Sequence, residues 1–457
     1  MKATTVKPDD MRSPLPDGFT FSPLNTWQLV SKPRSYTAWL REKYRDVVTL
    51  SFQNNKFGRA IDGDAFVVAL SPEGARQILS AEPDGYDAFW KVGFTGVAGT
   101  GSLWVLAGEK HQRERRMLGP SFHAHNFRGY GETIRQITRK QISGWREGQT
   151  LRAMDTTLAI SLEVILQLVI GIREESSIQE ARKVLTKLRD YMHPLIVFFP
   201  QLQRRWFPLW ARYHRAKNEY MHWISQYLDD RRKSNAKTDD VLGRMLEARY
   251  EDGSCMRDED IQDELVTILL AGHETTATAL AWALYELGRN PEIVEKLRAE
   301  LDSLGSTPET ESIARLPYLS AVCNETLRLH TLLPEIARVL TSPLQLFGYR
   351  IPAGNSVAIS VMAIHHDPEL YPEPDEFLPD RFMQKTYSPF EFLPFGGGHR
   401  RCLGAGLSDY EMRIALAEII MHWDFESAAI EREIRHDIAM GPRNGVRLRI
   451  KARRNAS

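Results

Sequence analysis

Cys402 ends a run of glycines and basic residues, FGGGHRRCLG from Phe395 to Gly404, and is followed at once by an amphipathic stretch, LSDYEMRIALAEIIMHW. A thiol just ahead of a helix meets unpaired backbone N–H groups and the positive end of the helix dipole, which favour a thiolate able to hold a metal. Gly396, Gly397 and Gly398 allow backbone angles and a close approach that a Cβ would prevent. By residue type alone, a lone cysteine is more often a small buried hydrophobe. A second candidate is AGHETT, Ala271 to Thr276, where an acid and two hydroxyls interrupt an apolar helical pattern from about Asp258 to Arg289. Polar groups in a core helix need partners, and the plain reading is that the hydroxyls bond carbonyls one turn earlier. In NETLRLH, Glu325 and Arg328 stand three apart on one helical face. Such a pair contributes little at a surface, but the flanking Leu319, Val322, Leu327 and Leu329 point to burial. His111 and Arg115, four apart, share another helical face that by default is solvated. His365 and His366 are adjacent and diverge, and His123 and His125 have no acid or cysteine nearby, so zinc is not expected. Neither a Gly-rich nucleotide loop nor a GxSxG elbow occurs.

The elements that must position these residues are mostly helices. Spacing of 3.6 residues runs from Glu109 to about Arg289, broken at Tyr191–Tyr213 by three prolines and many aromatics. Helices are predicted after Pro33, at Pro291–Leu304, at Tyr318–His330 and after Cys402. Strands are predicted at Val47–Phe52, Phe66–Ser71, Ala337–Leu340, Gln345–Ile351, Ser356–Ser360 and Val446–Ile450. Ser71-Pro72-Glu73 reads as a helix start. Residues Asp84 to Gly108 read as a long Gly-rich and aromatic loop. The prediction is an irregular N-terminal arm, 1–32, followed by a single mainly α domain, 33–457, with a small β-rich region built from both halves of the chain.

Composition narrows the classes. The 59 basic and 59 acidic residues cancel, which argues against nucleic acid held by the overall field. Three cysteines, Cys255, Cys323 and Cys402, exclude a disulfide framework and fit a reducing compartment. No leader pattern begins the chain. The longest apolar stretches, around Val164–Ile172 and Leu265–Gly272, are about half of the ~20 residues of a membrane span. A cytoplasmic protein without a transmembrane anchor is expected.

Phe395, Gly398, Arg400, Cys402 and Gly404 fill every fixed position of a pattern that resembles the haem-binding loop of the cytochromes P450. AGHETT is similar to the family's central-helix motif, Glu325-x-x-Arg328 to its buried ion pair, and PDRF, Pro379–Phe382, to the segment that supplies a third member, Arg381. The resemblance extends from roughly residue 30 to 450 and implies a P450 fold around a buried haem b, with Cys402 as the axial ligand of the iron. It implies that Gly272 leaves room for dioxygen, that Glu274 and Thr275 deliver protons where the helix distorts, and that Glu325, Arg328 and Arg381 fix the thiolate loop. His111, where many members carry Trp, would hold the propionates with Arg115, Arg338 and Arg400. The pocket would be bordered by Phe89, Ile268, Ala271, Ile336, Ala337 and Met440, with Glu335 an unexpected acid in that wall. The implied reaction is O2-dependent hydroxylation or epoxidation of a lipophilic substrate such as a fatty acid or terpenoid. Electrons would come from NAD(P)H through a reductase and a ferredoxin or flavodoxin, docked at Lys110, Arg113, Arg116 and Arg401 of a monomer. The competing readings are a peroxide-driven or redox-neutral haem-thiolate enzyme and a non-enzymatic haem binder.

Overall fold

The periodicity read from Glu109 onward becomes a stack of helices around one long central helix, Asp258–Leu287, in a computed structural model that describes residues 15–51, 65–122, 129–234, 238–436 and 438–454. Asp258, Glu259 and Asp260 occupy the first turn of that helix, where acids suit its dipole. Beyond Ile261 nearly every face is buried, as its apolar flanks require. It packs against the helix Ala153–Val164, which runs on into a π-helical turn, Ile165–Ile170, ending at Gly171 with φ 86°. A Cβ on Gly272 would lie 3.2 Å from Ile165 Cδ1, so the small residue lets these two helices approach. Ala153–Ile170 is apolar and long enough to cross a membrane, more than the sequence reading allowed, but 67% of it is buried in the protein as core.

Six strands form the main sheet, in the spatial order Gly18–Thr20, Val47–Ser51, Ala65–Ala69, Ser356–Ser360, Glu335–Leu340, Tyr86–Ala88. The expected union of N- and C-terminal strands occurs between Ala65–Ala69 and Ser356–Ser360, which run parallel with Phe66 opposite Ser356. A three-stranded sheet joins Trp423–Ser427, Arg447–Arg453 and Thr150–Arg152, and a hairpin pairs Glu433–His436 with Ala439–Pro442. Gln345–Ile351, expected as one strand, is a tight hairpin, Leu344–Leu346 with Tyr349–Ile351.

Two regions are more ordered than their composition suggested. The arm holds a strand, Gly18–Thr20, and a helix, Pro23–Ser31, started by Pro23 and by reciprocal bonds between Ser22 and Asn25; residues 1–14 lie outside the described residues. The stretch 84–108 contains a strand, Tyr86–Ala88, and a helix, Lys91–Ala98, whose Gly93 and Gly96 hide its helical period. Ser71 does precede the helix Pro72–Leu79, but its hydroxyl makes no capping bond.

Candidate functional site

Cys402 lies three residues ahead of the helix Ala405–His422. Its N–H donates to the Phe395 carbonyl at 2.9 Å, closing the loop on itself. The loop needs its glycines: Gly396 and Gly398 have φ 66° and 63°, and a Cβ on Gly398 would stand 2.8 Å from the Leu79 carbonyl oxygen. Burial pushes the Cys402 thiol above its usual range, against the backbone N–H groups of Gly404 and Ala405 and the charges of Arg401 and Arg115. The helix-start argument therefore names real donors, but desolvation outweighs them, and the thiol keeps its proton until a cation sits on the sulfur. Although enclosed, Cys402 keeps an exposed surface. The sulfur is thus desolvated by the protein around it yet keeps surface that a bound group could cover.

A basic cluster stands beside that loop. His111, Arg115, Arg338 and Arg400, expected together, are joined by His399 and Tyr86. The His111 and His399 rings lie 5.9 Å apart, Tyr86 stacks on His399 at 4.9 Å, and the Arg338 guanidinium is 5.4 Å from the Tyr86 ring. Burial, then Arg400 and His399, push the His111 pKa down to about 3. Burial, then Arg400 and Arg338, take His399 to about 4, and burial with Arg338 lowers Arg400 to about 10. Arg400 bonds the carbonyls of Leu103 and Leu106, Arg338 that of Ala337 at 2.8 Å, and Arg115 that of Arg401 at 2.6 Å. None of these four side chains pairs with a carboxylate among the described residues, and Arg338 Nε and Arg400 Nε are buried with no partner. Cations that depress one another's proton affinity and leave donors unfilled fit the carboxylates of a bound haem, just as the thiol fits its iron.

The buried ion pair is where the spacing placed it. Arg328 donates from Nε to Glu325 Oε2 at 2.7 Å and from a terminal nitrogen to Oε1 at 2.8 Å, both side chains being fully buried. Arg381 Nε reaches the same carboxylate at 3.1 Å. Arg328 also holds the carbonyls of His365, Pro374 and Glu376. His365 completes the path to the thiol loop, because its Nε2 accepts from the Leu393 N–H at 2.9 Å. That acceptor role leaves the ring proton on Nδ1, facing Thr331 Oγ1 at 3.3 Å. The sequence reading gave His365 no role, since the contact needs a partner 28 positions away. His366 is partly buried, whereas His123 and His125 lie outside the described residues.

The central helix departs from expectation at AGHETT. It is unbroken there, and Thr275 Oγ1 donates to the Ala271 carbonyl at 2.7 Å, the plain alternative for such a hydroxyl. Glu274 is exposed instead of lying in the core. Ile268, Ala271, Gly272 and Thr275 are only partly buried, although Thr267, Leu269, Leu270, His273 and Thr276 beside them are sealed in. Spaced at i, i+3, i+4 and i+7, they form one accessible stripe on a core helix. Thr276 bonds Ser408 at 3.0 Å, placing this stripe beside the helix that follows Cys402. Ile336 Cδ1 stands 3.6 Å from where a Gly396 Cβ would be, bringing the strand Glu335–Leu340 to the thiol loop. Ile336 and Ala337 are partly buried, while Phe89 and Met440 are buried, Phe89 against Phe66 and Trp90. Glu335 turns to Arg435 of the neighbouring hairpin, at 2.8 Å.

Known proteins resemble this chain in sequence and fold. The family model described as cytochrome P450 matches residues 16–446. Cytochrome P450 138 of Mycobacterium tuberculosis is 32% identical over 394 residues, which span 85% of this chain and 86% of the relative. Cytochrome P450 135B1 of the same species is 35% identical over 370 residues, 79% and 77% of the two chains. Among solved structures, retinoic acid-bound cyanobacterial CYP120A1 superposes with a TM-score of 0.82 at 22% identity, covering 96% of this chain and 99% of that one. The haem domain of cytochrome P450DA gives 0.83 at 23% identity, covering 97% and 99%. These two likenesses establish the fold.

Proposed function

Because the chain belongs to the cytochrome P450 family of monooxygenases, we propose that it inserts one oxygen atom of O2 into a lipophilic substrate, a fatty acid or terpenoid, by hydroxylation or epoxidation. The observation that carries this reading is the accessible stripe Ile268, Ala271, Gly272 and Thr275 on a core helix, which bonds through Thr276 to the helix behind Cys402. It offers a substrate three apolar contacts and one hydroxyl beside the thiol.

Cys402 would hold the iron of haem b, and His111, Arg115, Arg338 and Arg400 its carboxylates; when bound, the haem supplies the redox chemistry that activates O2. Phe395, Gly398 and Gly404 shape the loop under it. The chain's own task is to exclude water and meter protons. Thr275 holds its hydroxyl proton on the Ala271 carbonyl, leaving the Oγ1 lone pairs toward the accessible stripe. Swinging the hydroxyl off that carbonyl would free its proton at the accessible stripe, and the exposed Glu274 carboxylate, one residue away, would relay protons to this turn. Glu325, Arg328 and Arg381 act at a distance by holding the segment that leads to the thiol. Members of the family generally receive electrons from partner proteins, and we assign that role to a ferredoxin or flavodoxin supplied by an NAD(P)H-dependent reductase. Of the four basic residues proposed for docking, Arg113 is engaged by Asp252 at 2.9 Å and lies over Tyr250, and Arg116 faces Glu251 at 3.9 Å. Lys110 and Arg401 have no acidic partner within 4.0 Å among the described residues and carry the larger share of the attraction.

The deciding test is the carbon monoxide difference spectrum of the reduced protein, wild type beside Cys402→Ala. A strongly red-shifted Soret band lost in the variant is expected, and a wild type without haem would overturn the reading. Titration with fatty acids and terpenoids, followed by the ferric spin-state shift, then tests the substrate class; no shift with either rejects it.

A further inference from the structure

His399 and Tyr86 meet across 313 residues of chain, and neither belongs to the set expected to hold the haem carboxylates. Tyr86 lies on the edge strand Tyr86–Ala88 and His399 in the short 3-10 turn Gly398–Arg400, three positions before the thiol. The rings stack at 4.9 Å with planes 25° apart, and the Tyr86 hydroxyl is 3.0 Å from His399 Nδ1.

The direction of that hydrogen bond follows from its surroundings. The Arg338 guanidinium, which has donors only, lies 5.4 Å from the centre of the Tyr86 ring and interacts with its hydroxyl. A donor-only cation at the phenol oxygen favours a hydroxyl proton that points away from it, toward His399 Nδ1. The ring proton of His399 is thereby left on Nε2, an N–H with no partner among the described residues. That donor sits beside His111, and in the same cluster Arg338 Nε and Arg400 Nε are buried and unpartnered, with Arg338 more than nine-tenths buried. Buried donors without acceptors are uncommon in folded proteins, and several in one cluster that holds no carboxylate mark a place for an anion.

We propose that His399 is a further ligand for the carboxylate edge of the haem, donating from Nε2, and that Tyr86 is the positioning residue that fixes this tautomer. Arg338 joins the two roles, because it binds the anion directly and orients the hydroxyl that orients His399. The inference rests on the haem-thiolate reading of Cys402 and adds to it a donor from outside the residues expected for this site.

The test is the rate at which the holoenzyme, purified with its haem, loses haem to excess apomyoglobin, together with the ferric/ferrous midpoint potential. His399→Phe keeps the stack on Tyr86 and removes both nitrogens. It should release haem ~10-fold faster or more, the size expected for losing one hydrogen bond to a charged group. His399→Gln restores an N–H donor and should recover most of the difference. Tyr86→Phe should speed release several-fold in the wild-type background and have no effect in His399→Phe, because its role runs through His399. Reconstitution with haem dimethyl ester, which lacks free carboxylates, should erase the gap between wild type and His399→Phe. Unchanged release from His399→Phe, or a gap that persists with the ester, overturns the proposal while the thiolate band stands. A wild type lacking that band would instead overturn the reading beneath it.

Discussion

Replacing His365 separates a structural histidine from a merely buried one. Its ring is fully buried, accepts the Leu393 N–H at Nε2 and sits beside the backbone carbonyl that Arg328 holds. His365→Leu strands the Leu393 N–H, which costs about 1–3 kcal/mol out of the roughly 5–15 kcal/mol that keeps a domain folded. A pH effect is superimposed on this loss. Burial first, and then Arg328, lower the His365 pKa from 6.5 to about 3, so the folded state refuses a proton that the unfolded state accepts. The corresponding stability is complete above pH 6.5 and is lost as the pH falls from there toward 3. Between pH 7.5 and 5.5 the wild type loses about 1.4 kcal/mol through this one group, and the leucine variant loses none of it. The gap between the two proteins should thus shrink from about 2 kcal/mol at pH 7.5 to under about 1 kcal/mol at pH 5.5. Urea unfolding at both pH values, followed by far-ultraviolet circular dichroism and the Soret band, measures this. His365→Gln, whose amide oxygen can accept from Leu393, should stay within about 1 kcal/mol of wild type at pH 7.5. A leucine variant as stable as wild type at pH 7.5, or a gap that is the same at both pH values, would refute the reasoning.

Thr275→Ala should keep haem and substrate binding yet couple O2 consumption to product about tenfold less well, measured as product formed per NAD(P)H oxidised. His330 bridges Glu286 and Glu433 at 2.8 and 2.6 Å and stacks on Trp282 at 3.9 Å; His330→Leu leaves Glu433 to Arg34 and takes from Glu286 its hydrogen-bond partner, and should destabilise the fold by about 3–5 kcal/mol in denaturant titrations. Arg435→Met frees the hairpin Glu433–Pro442 from Glu335 and should cost less than about 1 kcal/mol, the pair being partly exposed, while changing the affinity for a lipophilic substrate several-fold in spin-state titrations. Lys110→Glu with Arg401→Glu should slow reduction by an acidic partner about tenfold at low salt, with the difference fading as ionic strength rises in stopped-flow traces.

Much of the site was legible because its motifs are local. The glycines, Arg400 and Cys402 fall within ten residues, and Glu325 and Arg328 within one helical turn, so spacing alone places each group on a shared loop or face. The helix Asp258–Leu287 was equally plain, since an apolar run of that length has few alternatives to a core helix. Local pattern erred where tertiary contacts decide. Residues 84–108 lack a period but fold into a strand and a helix because the sheet edge and the aromatic cluster Phe89, Trp90, Phe94 and Phe198 receive them. Glu274 follows an apolar run yet is exposed, because burial at one helical position depends on what packs there and not on its sequence neighbours.

The sequence by itself determined the mainly helical class, the loop that presents Cys402, the buried pair Glu325 and Arg328, and the long helix that flanks the site, all of them consequences of periodicity and short-range spacing. Only the tertiary structure decided which side chains meet. The Tyr86–His399 bond joins residues 313 positions apart, the Glu335–Arg435 pair 100 and the His365–Leu393 bond 28. It also decided which force wins at Cys402, where burial outweighs the helix-start donors. Desolvation depends on every atom that packs around a group, and no window of sequence contains them.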